Sequence, residues 1–196
     1  TKIYSTVGRS FLFTYDISAD TYTQESFAPS SETNANVTFG TGKPDIVSGS
    51  DGIYILQGAG YRLAGGKQYG GTGRAYLFKS SSSGIDLQLT FSGSTGAQSS
   101  NGYDLLGWSN QMVSGANGVT VLTNQLLGTP ETVSYLDEGT ASDKRHVIWI
   151  YETDGSSTNA TYRIDESNSS TLNSLSEFGW ATQMDARLSS DGERLY

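Results

Sequence analysis

The chain has 196 residues, 16% of them charged, no cysteine and a formal net charge of −8. An acidic chain without a basic run excludes recognition of nucleic acid or of an anionic membrane surface, which both need a positive face, and the missing cysteine excludes a disulfide scaffold and thiol chemistry. With 24 Gly, 12 Tyr, 7 Phe and no stretch of about 18 apolar residues to cross a membrane as a helix, the composition predicts an all-β domain of short strands and tight turns.

The first predicted element is a hairpin over RSFLFTYDISADTYTQESF (9–27), an aromatic-rich alternating strand, a polar turn and a second strand. Asn36 then opens the first of three N-x-[ST] sites, the others at Asn159 and Asn168, all permissive for glycosylation. Phe39 starts FGTGKPDIVSGSDGIYILQG, in which Asp51-Gly52 predicts a hairpin turn because both central residues of a type I′ turn need positive φ. GAGYRLAGGKQYGGTGR (58–74) is not a phosphate loop: Lys67 is followed by Gln68 rather than Ser or Thr, and a strand comes next. It reads as a long loop whose Tyr61, Arg62, Lys67, Gln68 and Tyr69 are candidates for contact with a sugar or a protein. The plain alternative is that these tyrosines pack on a neighbouring sheet. RAYLFKSSSSGIDLQLTF (74–91) repeats the pattern of the opening hairpin.

A second series follows. Leu106 starts LGWSNQMVSGANGVTVLTNQ, a loop over 123–145 carries the further contact candidate Tyr135, and HVIWIYETDGSSTNATYRI (146–164) is another hairpin, with Trp149 expected in the core. Ser142, Asp143 and His146 are neighbours in one turn, the wrong arrangement for a catalytic triad. The acidic pairs Asp137-Glu138 and Asp165-Glu166 are adjacent residues, and adjacent strand residues face opposite ways, so neither forms a two-carboxylate hydrolytic site by itself. No catalytic residue is assigned. FGWATQMDARLSSDGERLY (178–196) closes the chain as a third such opening, Phe178-Gly179, and a hairpin at Asp191-Gly192.

The three openings, at Phe39, Leu106 and Phe178, define units of about 39–105, 106–177, and 178–196 joined with 1–38. The third unit is split: its first half ends the chain and its second half begins it. Trp108 and Trp180 recur just after the unit's Gly, which predicts packing between units rather than ligand binding.

These motifs, with Gly-Thr-Gly-Arg-Ala-Tyr-Leu-Phe at 71–78, resemble the FG-GAP-type repeats of integrin-like β-propellers of cell-surface and virion proteins. The resemblance implies a propeller of four-stranded blades used for structure, adhesion or receptor contact outside the cell or on a virion. It also implies calcium in D-x-D-x-D-G loops. The turns here, SGSDG, SGANG and LSSDG, hold one carboxylate or none, so calcium is disfavoured and no other cofactor or metal is expected. Three blades are too few to close a ring. The expectations are therefore a homodimer closing one six-bladed propeller, a piece of a longer chain (which a start at Thr1 also fits), or a β-sandwich instead. The functional expectation is a non-catalytic surface protein contacting a protein or glycan receptor. A carbohydrate-binding lectin is the alternative and a glycosidase-like enzyme the third.

Overall fold

The computed structural model describes residues 8–29, 39–40, 43–49, 51–59, 73–92, 103–104, 106–107, 109–115, 118–128, 145–165, 189 and 194. Eleven strands are present among them, with no helix. β1 (Ser10–Asp16) and β2 (Thr21–Phe27) form a two-stranded sheet. β3 (Asp45–Gly49), β4 (Gly52–Ala59), β5 (Arg74–Ser81) and β6 (Gly84–Ser92) form a four-stranded antiparallel meander. β7 (Tyr103–Asp104), β8 (Asn110–Gly115), β9 (Gly118–Gly128), β10 (Arg145–Thr153) and β11 (Thr158–Asp165) form the third sheet, in which β8 and β7 pair with different stretches of β9. None of the three sheets closes on itself.

The all-β architecture and the hairpins expected over 9–27, 74–91 and 146–164 are observed. Four details differ from the sequence reading. Gly49 pairs with Gly52 and Gly115 with Gly118, so each Asx-Gly glycine closes the ladder as the first residue of the next strand. The glycine is still required there: Gly118 has φ +141°, and a Cβ on it would lie 2.0 Å from the Thr153 carbonyl oxygen. The 123–145 loop is shorter than expected, because β9 runs to Gly128. β7, just before Leu106, pairs with β9 of the following sheet. Finally, β6 does not alternate on one register. Phe78 pairs with Leu87 while Leu77 pairs with Leu89, leaving Gln88 as an extra residue. That bulge sends Ile85 and Leu87 to one face and Leu89 and Phe91 to the other.

The sheets stack in the order hairpin, four-stranded sheet, five-stranded sheet. β4 and β5 serve both interfaces by simple alternation. Tyr54, Leu56, Ala75 and Leu77 pack toward the five-stranded sheet, meeting Leu106, Met112, Val119, Val121 and Tyr151. Ile55, Tyr76 and Phe78 pack toward the hairpin, meeting Phe27, Phe39 and Leu12. Each fully buried side chain of this size contributes roughly 1.5–3 kcal/mol, so the middle sheet, apolar on both faces, is the centre of the molecule's stability.

The stacking is repeated residue by residue. Gly40 and Gly107, at φ +90° and +91°, donate backbone N–H bonds of 3.1 Å to the carbonyls of Gly58 and Asn124, the positions six residues past the turn glycines Gly52 and Gly118. Gly40 faces the carbonyl of Arg9 and Gly107 that of Arg74, but the approach is close only at Gly107, where a Cβ would lie 2.2 Å from the oxygen against 3.8 Å at Gly40. Arg9 and Arg74 hold the same place in RSFLF and RAYLF. Ser10 pairs with Phe27, Ala75 with Phe91 and Ile148 with Ile164. Three residues on from the first of each pair stand Phe13, Phe78 and Tyr151. Phe78 meets Phe27 edge-on at 4.9 Å, and Tyr151 stacks on Phe91 at 4.4 Å: the same contact, made twice between successive sheets.

Candidate functional site

A cleft lies between β1 and the strands β3 and β4. It has a volume of about 480 Å³ and is lined by Arg9, Ser10, Phe11, Leu12, Phe13, Phe27, Pro44, Asp45, Ile46, Ile55 and Gln57. Alternation along β1 sends Leu12 inward onto the middle sheet and leaves Phe11, Phe13 and Tyr15 outward. Tyr22, directly opposite Tyr15 on β2, extends this row, with ring centroids 4.6 Å apart. The exposures are 52% for Phe11, 62% for Phe13, 43% for Tyr15 and 73% for Tyr22. Neighbouring exposed rings on a single sheet face form a patch of the kind that marks an interaction surface.

The polar groups of the cleft are committed to structure. The Ser10 hydroxyl donates to Gln57 Oε1 at 3.0 Å, and Gln57 Nε2 donates to the Gly58 carbonyl at 3.2 Å. Arg9 Nη1 donates to Ser26 Oγ at 3.2 Å. Asp45, the sole carboxylate of the lining, accepts the Ile46 amide on Oδ1 at 3.0 Å and the Met112 amide of the next sheet on Oδ2. With its one acid occupied on both oxygens, the cleft holds no acid–base pair and is equipped for apolar contact.

A second polar cluster joins the two larger sheets at their inner strands. Asn110 Nδ2 donates to the carbonyls of Lys43 at 3.0 Å and Gly107 at 2.8 Å, while its Oδ1 accepts from Thr123 Oγ1 at 2.8 Å. Buried amides satisfied in this way act as a clamp between sheets.

The turn carboxylates are engaged locally. Asp51 accepts from Lys79 Nζ and, at 3.1 Å, from the Tyr54 hydroxyl, and the Lys79 bond above all holds its carboxyl below the ordinary value. The first Ser-x-x-Asp-Gly turn thus carries its own internal cation. Asp154 Oδ1 accepts the amides of Ser156 and Ser157, each at 2.8 Å, and these bonds lower its carboxyl to about 2. Asp16 Oδ1 accepts the Ser18 hydroxyl and the Ala19 and Ser18 amides, and these bonds, the hydroxyl's first, hold its carboxyl below the ordinary value. Among the described residues no group of three or more His, Asp or Glu is placed to hold a metal ion.

Of the residues singled out by sequence, Tyr61, Arg62, Lys67, Gln68, Tyr69, Tyr135, Asn36, Asn168, Trp108 and Trp180 lie outside the described residues. Asn159 is exposed on β11. It is the extra residue of a bulge, since Glu152 pairs with Ala160 and Thr153 with Thr158. Trp149 is half-buried against the central cluster, donating Nε1–H to Gln125 Oε1, with the Arg163 guanidinium 5.7 Å from its ring. Sequence reasoning found the aromatic strand 9–16 but not its exposed face, because its pattern is that of two buried strands. Asn110 carried no signal at all.

Comparison of the chain with protein-family models, with characterised proteins and with solved structures gives no match.

Proposed function

We propose that this chain is a non-catalytic module of stacked β-blades, a propeller in its complete form, that works in structure, adhesion or receptor contact at the exterior of a cell or virion. One observation carries the reading: successive sheets meet at matching positions, a positive-φ glycine facing an arginine carbonyl and a ring resting on the preceding sheet, Phe78 on Phe27 and then Tyr151 on Phe91. A four-stranded sheet apolar on both faces needs a neighbour on each side, and repeated stacking of this kind is how blade and solenoid folds provide it. A rigid stack presents the ends of its sheets, and the loops there, as contact surface.

A glycan array, run beside binding to intact cells of candidate hosts, tests the function. Binding to cells that persists after their surface glycans are enzymatically removed and disappears after surface proteolysis is the expected result. Binding to one glycan class, lost in Tyr69→Ala, would replace the adhesion reading with the lectin one. Turnover of a glycoside substrate would overturn both.

A further inference from the structure

The outer face of the β1–β2 hairpin is the start of a stack whose next interface is not formed among the described residues, and we infer that a second copy of this chain supplies it, seating Phe13 of one copy on Ile164 of the other. The inference deepens the stacked-blade reading by naming its partner, and it does not depend on what the assembly binds.

The argument is continuity with the interface already formed twice inside the molecule. Phe78 and Tyr151, which stand where Phe13 stands in the hairpin, are 1% and 6% exposed because each presses on the preceding sheet. Phe13 is 62% exposed. The residues that receive these rings, Phe27 and Phe91, correspond by strand register to Ile164 at the far end of the stack. Ile164 lies on the outward face of the five-stranded sheet with Ile150 and Tyr162, which pairs with Ile150. Tyr162 is 50% exposed and Ile150 and Ile164 are half-buried, whereas Leu122 and Ile148, on the inner strands of the same face, are both 2% exposed. So the outward face is closed over β9 and the start of β10, and open over β10–β11. That open strip is where a two-stranded hairpin of the β1–β2 type sits in the two interfaces already present.

The fit extends to edge and cleft. β1 pairs with β2 alone among the described strands, and a strand edge is where an added strand pairs. The 480 Å³ cleft runs beside that edge, above Ile46 and Ile55. A contact between one end of the chain and the opposite end of another is head-to-tail. In a pair related by a two-fold axis it forms twice and closes, leaving neither end exposed.

The test uses the whole chain and its mass in solution by light scattering and sedimentation. The expected species is a dimer at twice the chain mass. Phe13→Asp and Ile164→Asp each shift it to monomer, with dimer affinity weakened at least about tenfold per lost anchor. Mixing the two variants restores dimers, because one of the two contacts in the mixed pair keeps both native residues. Phe13 is exposed, so its variant keeps the wild-type circular dichroism; if Ile164→Asp does not fold, Tyr162→Asp takes its place. The chain has no cysteine, so Phe13→Cys with Ile164→Cys in one chain gives a clean oxidative cross-link between copies. A monomer at all concentrations, an assembly of any other size, a dimer indifferent to these substitutions, or a mixture that stays monomeric overturns the inference. A monomer that still adheres leaves the functional proposal standing; a dimer that binds no surface leaves this inference standing without it.

Discussion

Two strands of nearly the same sequence, RSFLF at the start of the chain and RAYLF in the middle sheet, have opposite fates. Phe78 is 1% exposed and Phe13, its counterpart, 62%; Tyr76 is fully buried and Phe11 is 52% exposed. The residue types do not distinguish them, and although β5 is paired on both edges and β1 with β2 alone among the described strands, pairing at an edge does not cover a sheet's face. What differs is the neighbour: the hairpin covers the middle sheet, and nothing among the described residues covers the hairpin's outer rings. Burial in a stacked fold belongs to the interface rather than to the strand.

The largest effect that sharpens this contrast comes from truncating the two rings. Phe78→Ala should cost about 3–5 kcal/mol of unfolding free energy, while Phe13→Ala, measured at a concentration where the chain is monomeric, should change it by less than about 0.5 kcal/mol. Urea unfolding of both variants makes the comparison, and equal losses would break it. Next come two glycines that separate close approach from mere conformation. Gly107 at φ +91° would place a Cβ 2.2 Å from the Arg74 carbonyl oxygen, whereas Gly84 at φ +122° has open space around it. Gly107→Ala should destabilise by at least about 2 kcal/mol and Gly84→Ala by about 1 kcal/mol, since the second adds only backbone strain. Loss of the inter-sheet joint should also raise the exposure of Tyr151, read as a change in near-ultraviolet circular dichroism in Gly107→Ala alone. The smallest effect is on pH. The Asp154 carboxyl sits at about 2 against an ordinary 3.8, so its stabilisation is present above about pH 4 and fades as pH falls through about 2. The difference in melting temperature between the wild type and Asp154→Asn should therefore close over that window and be constant above it.

Strand content, the three aromatic hairpins and the glycine turns at Gly40 and Gly107 were legible because turn chemistry and alternation are local. The bulge at Gln88 was not: GIDLQLTF alternates faultlessly on paper, and only pairing with β5 shows the extra residue that turns Leu89 and Phe91 to the other face. The hairpin turns were found, but their glycines were placed one step too early, since sequence shows the Asx-Gly pair and not which residues close the ladder. The exposed face of β1 was hidden for the converse reason. Its residues are those of a buried strand, so the signal pointed to core. Asn110 illustrates a further limit: a single amide between turn and strand becomes the clamp between two sheets only through residues distant in sequence, such as Lys43.

The joint at Gly58 and Gly107 has a consequence for how such a chain can change. A Cβ on Gly58 would stand 1.7 Å from the Gly107 carbonyl oxygen, so the two sheets meet there main chain to main chain, with the Asn110 amide as the neighbouring side chain that bonds the same carbonyl. A contact between backbones is insensitive to drift in most of the side chains around it. Units that share it can diverge until they are scarcely recognisable as kin, as the segments from Phe39 and Leu106 have, and still be laid on one another at the same spacing and angle.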